Sequence, residues 1–284
     1  MNGIIAALIM VGFFSCMAPI RKELREKGVE SITVMALTGF TAPLWIILAL
    51  VLSYRYDYAW SMPYAMNVLA WVVLVIAGSI AALYLYRYQT LTSLNAFGLG
   101  FGTLFALLAD LFIFKTAFPM LTTISIALFI SAGLLISHQK KRSKNVRDWH
   151  VLGLVGFNAL LGVVYFSLYK MGLIMQENLL LHVAICQGVL HGSLLLYGYP
   201  SIKKYVTKGI ITMRHIVLIS IFLIGGVFGE AYALKELPVS AVVLMALFPI
   251  ILFAIYDSKK KELHWNPKTI AAVALIVIAI LLLR

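Results

Sequence analysis

Long apolar runs alternate with short polar links from one end of the chain to the other. Ten runs reach or approach spanning length: about 3–20, 31–53, 66–86, 93–114, 118–137, 151–169, 179–199, 215–234, 239–256 and 268–283. A helix that crosses hydrocarbon needs roughly 20 mainly apolar residues. These runs therefore predict an all-α integral membrane protein of ten transmembrane helices. The links leave no room for a soluble domain, so neighbouring helices are expected to run antiparallel in one bundle. A helix satisfies its own backbone polar groups, which is why the bilayer tolerates this architecture. The first run starts at residue 3 without a basic segment ahead of it or a cleavage-like site behind it, and reads as a retained helix.

Composition agrees with that pattern. The chain of 284 residues is 62% hydrophobic and 12% charged. A soluble domain with such a surface would expose large apolar patches to water. The net charge of +12 does not point to nucleic acid, because the basic residues lie between apolar runs and form no basic face. They read instead as topology signals. Arg21, Lys22, Arg25, Lys27, Arg87, Lys140, Lys141, Arg142, Lys144, Arg147, Lys203, Lys204, Lys208, Arg214, Lys259, Lys260, Lys261 and Lys268 fall in the odd-numbered links. The other side holds Arg55, Lys115, Lys170, Lys235 and Arg284. The positive-inside rule then places the odd links in the cytoplasm of a multi-pass protein of the cell (inner) membrane, with both termini outside. Tyr54, Tyr56, Tyr58, Trp60 and Tyr64 cluster in the second link, and Trp149 and Trp265 flank others, at positions suited to headgroup anchoring. Cys16 and Cys186 lie in apolar runs without metal-ligand spacing and read as small packing residues.

An internal repeat organises the runs. A gap-free shift of 148 positions, set by Lys22 falling on Lys170, also brings Tyr84 onto Tyr232 and Arg87 onto Lys235. Thr92 meets Ser240, Leu104-Phe105-Ala106 meets Leu252-Phe253-Ala254, and Pro119 meets Pro267. Five spans align with five. Because five is odd, the second set crosses the membrane in the opposite sense. The expectation is two inverted five-helix repeats, residues 1–137 and 151–284, joined by a basic linker at 138–150. Transporters use such repeats to exchange outward- and inward-open states.

Tyr232-Ala233-Leu234-Lys235-Glu236-Leu237-Pro238-Val239-Ser240 leads into a run containing Phe248-Pro249, followed by a short basic link and a last apolar run. This segment resembles the second repeat of the drug/metabolite transporter superfamily, in its ten-helix EamA-like branch. The resemblance covers essentially the whole chain in architecture. It implies export or exchange of a small metabolite, such as an amino acid or a related compound, and family members usually keep their termini in the cytoplasm.

Polar groups inside a span are costly, and each needs a partner or a task. Glu230, after Gly225, Gly226 and Gly229 in the eighth run, is either a coupling carboxylate for a proton or a cationic solute, or a helix-end group reaching headgroups or Lys235. Gln187 and His191 share a face of the seventh run, with His182 pointing elsewhere. They suit a polar lining, or hydrogen bonding between helices. Asn158 and Tyr165 share a face of the sixth run, near Tyr169; Tyr84 and Tyr88 share one in the third, and Asn95 opens the fourth. Hydroxylated rings fit a partly apolar solute or a cation, and equally an interface anchor. The expected substrate site is Asn158, Tyr165, Gln187, His191, Glu230, Tyr84 and Asn95, with Glu230 the proton-coupling candidate. Asp110 reads as an interfacial group and Asp257 as a solvated helix end. Gly98 and Gly102 have the spacing of a close helix contact. Pro249 interrupts the ninth run, as a packed kink or a hinge.

The leading expectation is a secondary transporter of a small polar or amphipathic metabolite, working by alternating access. No metal, cofactor or nucleic-acid partner is expected; membrane lipids and the solute are, and a homodimer stays open. An intramembrane enzyme would need a His-Glu-x-x-His motif or a Ser/His dyad, and neither stands out, although Glu230, His191 and Ser220 could meet in space. A passive channel or lipid scramblase is the other alternative.

Overall fold

The structure, a computed structural model, describes residues 2–56, 61–86, 91–115, 124–125, 127–128, 131–132, 135, 148–176, 178–245, 249–259 and 267–282. They form helices throughout. Helix α1 is Gly3–Glu26, α2 Ser31–Ala36, a 3₁₀ turn follows at Leu37–Thr41, and α3 is Ala42–Arg55. Then come α4 (Met62–Leu85), α5 (Leu91–Phe112), α6 (Asp148–Met175), α7 (Leu179–Thr207), α8 (Met213–Glu236), α9 (Val239–Met245), α10 (Pro249–Lys259) and α11 (Pro267–Leu281). Among the described residues, six stretches are long and apolar enough to cross a membrane: Gly3–Glu26, Ser31–Arg55, Met62–Leu85, Gly153–Met175, Leu179–Thr207 and Met213–Glu236. The protein is a multi-span helical membrane protein. Most of the expected span at 118–137, and residues 138–147 of the expected linker, lie outside the described residues.

Local chemistry sets the helix ends. Asn2 accepts a hydrogen bond from the Ile4 amide (2.9 Å) and starts α1, as Asn178 does for α7 through the Leu181 amide (3.1 Å). Gly28, at φ +84°, ends α1: its amide donates to the Arg25 carbonyl and that of Val29 to Leu24. Gly209 repeats the motif after α7. In both, a left-handed residue lets the last turn satisfy its carbonyls, and glycine takes that conformation without a Cβ penalty.

The second span changes pitch in its middle. Thr38 Oγ1 donates to the Met35 carbonyl (2.7 Å), Thr41 Oγ1 donates to that of Thr38 (2.8 Å), and Trp45 Nε1 donates to Thr41 Oγ1 (3.1 Å). Pro43 stands at the start of α3 and has no N–H for the Gly39 carbonyl. A tighter turn just before it is the result.

Two compact units divide the chain. One holds Met1–Leu83 and Val164–Glu236; the other holds Tyr84–Val163 and Leu237–Arg284. Each draws on both sides of the 138–150 segment.

In the first unit α1 lies antiparallel against α8. A Cβ on Gly229 would sit 2.5 Å from the Met10 amide nitrogen and 2.7 Å from the Ala6 carbonyl oxygen, and one on Gly225 would meet the Phe13 ring at 2.7 Å. The second span packs the same way along α7, where Gly39 backs onto Leu195 and Gly198 onto Ala36. Small residues let backbones approach where no water-driven force pulls apolar helices together. The Arg25 side chain, buried, donates from Nε to the Leu83 carbonyl (3.1 Å) and from Nη1 to that of Val29, tying the end of α1 to the end of α4.

In the second unit α5 packs against α9 and α10. Asp110, expected at headgroup level, is instead completely buried and caps α9: Val239 and Ser240 donate their amides to its two oxygens at 3.1 and 2.7 Å. Asp257, expected to be solvated, is also fully buried. Among the described residues, nothing approaches Gly98 or Gly102 more closely than ordinary contact. Added Cβ atoms there would lie 3.9 Å from Val155 and 3.6 Å from Val243, in ordinary contact. Pro249 begins α10 rather than kinking a continuous helix, and residues 246–248 before it lie outside the described residues.

Candidate functional site

The N-terminal half of α7 is buried on every side from Leu181 to Gly188, so its polar residues must find partners within the first unit. His182 does. Its Nδ1 shares a 2.8 Å hydrogen bond with the Tyr64 hydroxyl of α4, and its ring lies 4.7 Å from that of Tyr169 on α6. Tyr64, which the sequence placed among headgroup anchors, is only 1% exposed; Tyr54 and Tyr56 do lie exposed, while Tyr58 and Trp60 lie outside the described residues. Tyr169 in turn stacks on Trp71 of α4, with centroids 5.1 Å apart and planes 30° apart. Cys186 Sγ, one turn along α7, lies 3.7 Å from His182 Nε2. Cys16, the other cysteine, is exposed and does not pack as expected.

His191 Nδ1 lies 3.0 Å from Thr38 Oγ1, in the 3₁₀ turn of the second span. The Thr38 hydroxyl proton goes to the Met35 carbonyl. A hydroxyl engaged with that carbonyl favours the imidazole N–H on Nδ1 and an acceptor at Nε2. That Nε2 is buried without a hydrogen-bond partner among the described residues. Arg21 lies within electrostatic range of the same ring.

Glu230 enters this cluster from α8. It is 6% exposed and lies within electrostatic range of Tyr165, Tyr169 and Cys186. Lys235, the alternative partner considered from sequence, is exposed. Gln187 lies next to Tyr169. Among the described residues, Glu230 Oε1, Asn67 Oδ1 and Trp71 Nε1 are buried without hydrogen-bond partners, and Gln187 Oε1 and the Tyr169 hydroxyl have none but each other. Buried polar atoms are nearly always paired, and an unpaired one costs about 1–3 kcal/mol. Gln187, Glu230 and the ring pair of Trp71 and Tyr169 form one group, the candidate site, with His191 one helical turn from Gln187 on α7.

Of the residues expected at the site, Tyr165, Gln187, His191 and Glu230 belong to this unit. Asn158 and Tyr84 belong to the other; Asn158 is half-buried and Tyr84 is 45% exposed. The side chain of Asn95 and all of Tyr88 lie outside the described residues. His182, read as pointing away, stands within the cluster through Tyr169. Trp71, Asn67 and Thr38 are site residues that the sequence reading missed. The pair Asn67 and Trp71, four apart in an apolar run, was the available signal, since such residues share one helical face. Among the described residues no three His, Cys, Asp or Glu side chains gather as a metal site.

A protein of known crystal structure has the same fold, with a TM-score of 0.67 over 99% of this chain and 96% of its own, at 10% sequence identity. No family model matches the chain, and no curated protein matches it in sequence.

Proposed function

We propose that the chain is a secondary transporter that moves a small polar or amphipathic solute across the cell membrane by alternating access. The observation that carries this reading is the group of buried polar atoms around Tyr169, with Glu230 among them, inside a multi-span membrane protein. A carboxylate kept in the interior at such cost has a transient partner: the solute, or a proton that leaves and returns during the cycle.

The resemblance to the ten-helix EamA-like branch of the drug/metabolite transporter superfamily supports the same reading. The α5 cap offers a test of the inverted repeat. Under the 148-residue offset Val239 and Ser240 correspond to Leu91 and Thr92, and Asp110 corresponds to Ser258, next to buried Asp257. An inverted repeat predicts the reciprocal arrangement, with the end of α10 capping the start of α5. The 3₁₀ turn at Leu37–Thr41, hydrogen-bonded to the site through His191, is where the second span would bend as the cycle proceeds.

Proteoliposomes loaded with a metabolite library, with and without a pH gradient, test the proposal. Solute movement that follows the gradient in the wild type and stops in Glu230→Gln is the expected result. Liposomes that retain every solute at the rate of protein-free ones refute it.

A further inference from the structure

The unpartnered atoms of the site are mostly of one kind. Glu230 Oε1 and Asn67 Oδ1 are acceptors, as are Gln187 Oε1, which has only the Tyr169 hydroxyl beside it, and His191 Nε2 in the tautomer that Thr38 favours. Glu230, the carboxyl group of the cluster, lies within electrostatic range of Tyr165, Tyr169 and Cys186. The stacked rings of Trp71 and Tyr169 offer aromatic faces beside these acceptors. Arg21, within electrostatic range of His191, has interactions of its own.

Resting on the transporter reading above, we infer that this cluster takes an organic ammonium ion that still carries N–H bonds, attached to an aromatic or apolar body. A primary ammonium brings three donors to these acceptors, a positive charge to Glu230, and a cation to aromatic faces. Other ligand classes fit less well. A carboxylate or phosphate adds acceptors to acceptors and meets Glu230 with like charge. A neutral alcohol leaves the carboxylate uncompensated. A quaternary ammonium can use the rings and the charge, but it has no N–H to give and leaves the oxygens buried and unpaired. A sodium ion suits the three oxygens but leaves the ring faces without a role.

The test uses the full-length protein in lipid nanodiscs with four probes: 2-phenylethylamine, its N-trimethyl analogue, 2-phenylethanol and sodium chloride. Binding is read by calorimetry and by intrinsic tryptophan fluorescence. The expected order is phenylethylamine first, the trimethyl analogue weaker by about tenfold or more, the scale of one buried polar group left unpaired, and no saturable binding of the alcohol. Glu230→Gln should abolish amine binding, and Trp71→Phe should weaken it while keeping a ring. Glu230→Asp, which keeps the charge, should bind the amine where Glu230→Gln does not, and so separates loss of charge from loss of fold. The inference is overturned if the trimethyl analogue binds as tightly as the primary amine, if Glu230→Gln binds normally, or if sodium alone saturates the site. Counterflow of labelled phenylethylamine in proteoliposomes separates the two proposals. Ammonium binding without counterflow upholds the site chemistry and removes the transporter reading; transport of another solute without ammonium binding does the reverse.

Discussion

At the scale of single residues, the glycines give the plainest contrast. Gly229 of α8 faces the backbone of α1, and backbone cannot move aside as a side chain can. Gly229→Ala is expected to lower stability by about 1–3 kcal/mol through overpacking. Gly156→Ala, where no atom of the described residues lies within 4 Å, should leave the melting temperature unchanged or slightly raised. Thermal unfolding in detergent checks both, and equal melting temperatures for the two variants would contradict the α1–α8 packing. Gly225, Gly226 and Gly229 were visible in the sequence as neighbours of Glu230, but their partner was not. Contacts between helices far apart in the chain leave no trace in helical spacing. For the same reason Gln187 and His191 could be paired from sequence, whereas Thr38, Trp71 and Asn67 looked like ordinary span residues. Asp257 and Asp110 were misread because a carboxylate at a helix end usually faces water; here the neighbouring helix puts its own backbone amides there for Asp110.

At the scale of elements, the cap on α9 carries a quantitative consequence. Asp110→Ala removes the acceptor for two buried amides and should destabilise the protein by about 1–2 kcal/mol, the range for lost N-caps. Asp110→Asn keeps an oxygen and should recover part of that loss. If the inverted repeat holds, Asp257→Ala should cost a similar amount, because its carboxylate would serve the first turn of α5. Chemical or thermal denaturation of the three variants decides this, and an unaffected Asp257→Ala would count against the reciprocal cap. The long helices were legible because each is a continuous apolar run closed by polar residues. The break at Leu37–Thr41 was not, because Thr38, Gly39 and Pro43 do not interrupt the hydropathy of the second span; only their hydroxyls and the missing proline N–H do the bending.

At the scale of the whole molecule, the multi-pass class followed from composition and run length, while the two interleaved units did not, since the basic linker gave the obvious place to divide the chain. Orientation rests on the basic residues between runs. Two of them, Lys22 and Arg25, are buried against protein, and Arg25 bonds backbone carbonyls. They contribute to packing as well as to charge bias. The remaining bias still favours the odd links in the cytoplasm, so a cysteine at Ser143 should react with an impermeant reagent only from that side and one at Arg284 only from outside. Labelling of Arg284→Cys from the cytoplasm alone would restore the orientation usual for the resembling family. The central claim, that Glu230 couples solute movement through this protein, is tested most directly by uptake into proteoliposomes under an imposed pH gradient, wild type beside Glu230→Gln. The account predicts gradient-driven accumulation by the wild type and none by the variant, with both proteins monodisperse and of similar melting temperature. Equal accumulation by the two would contradict it.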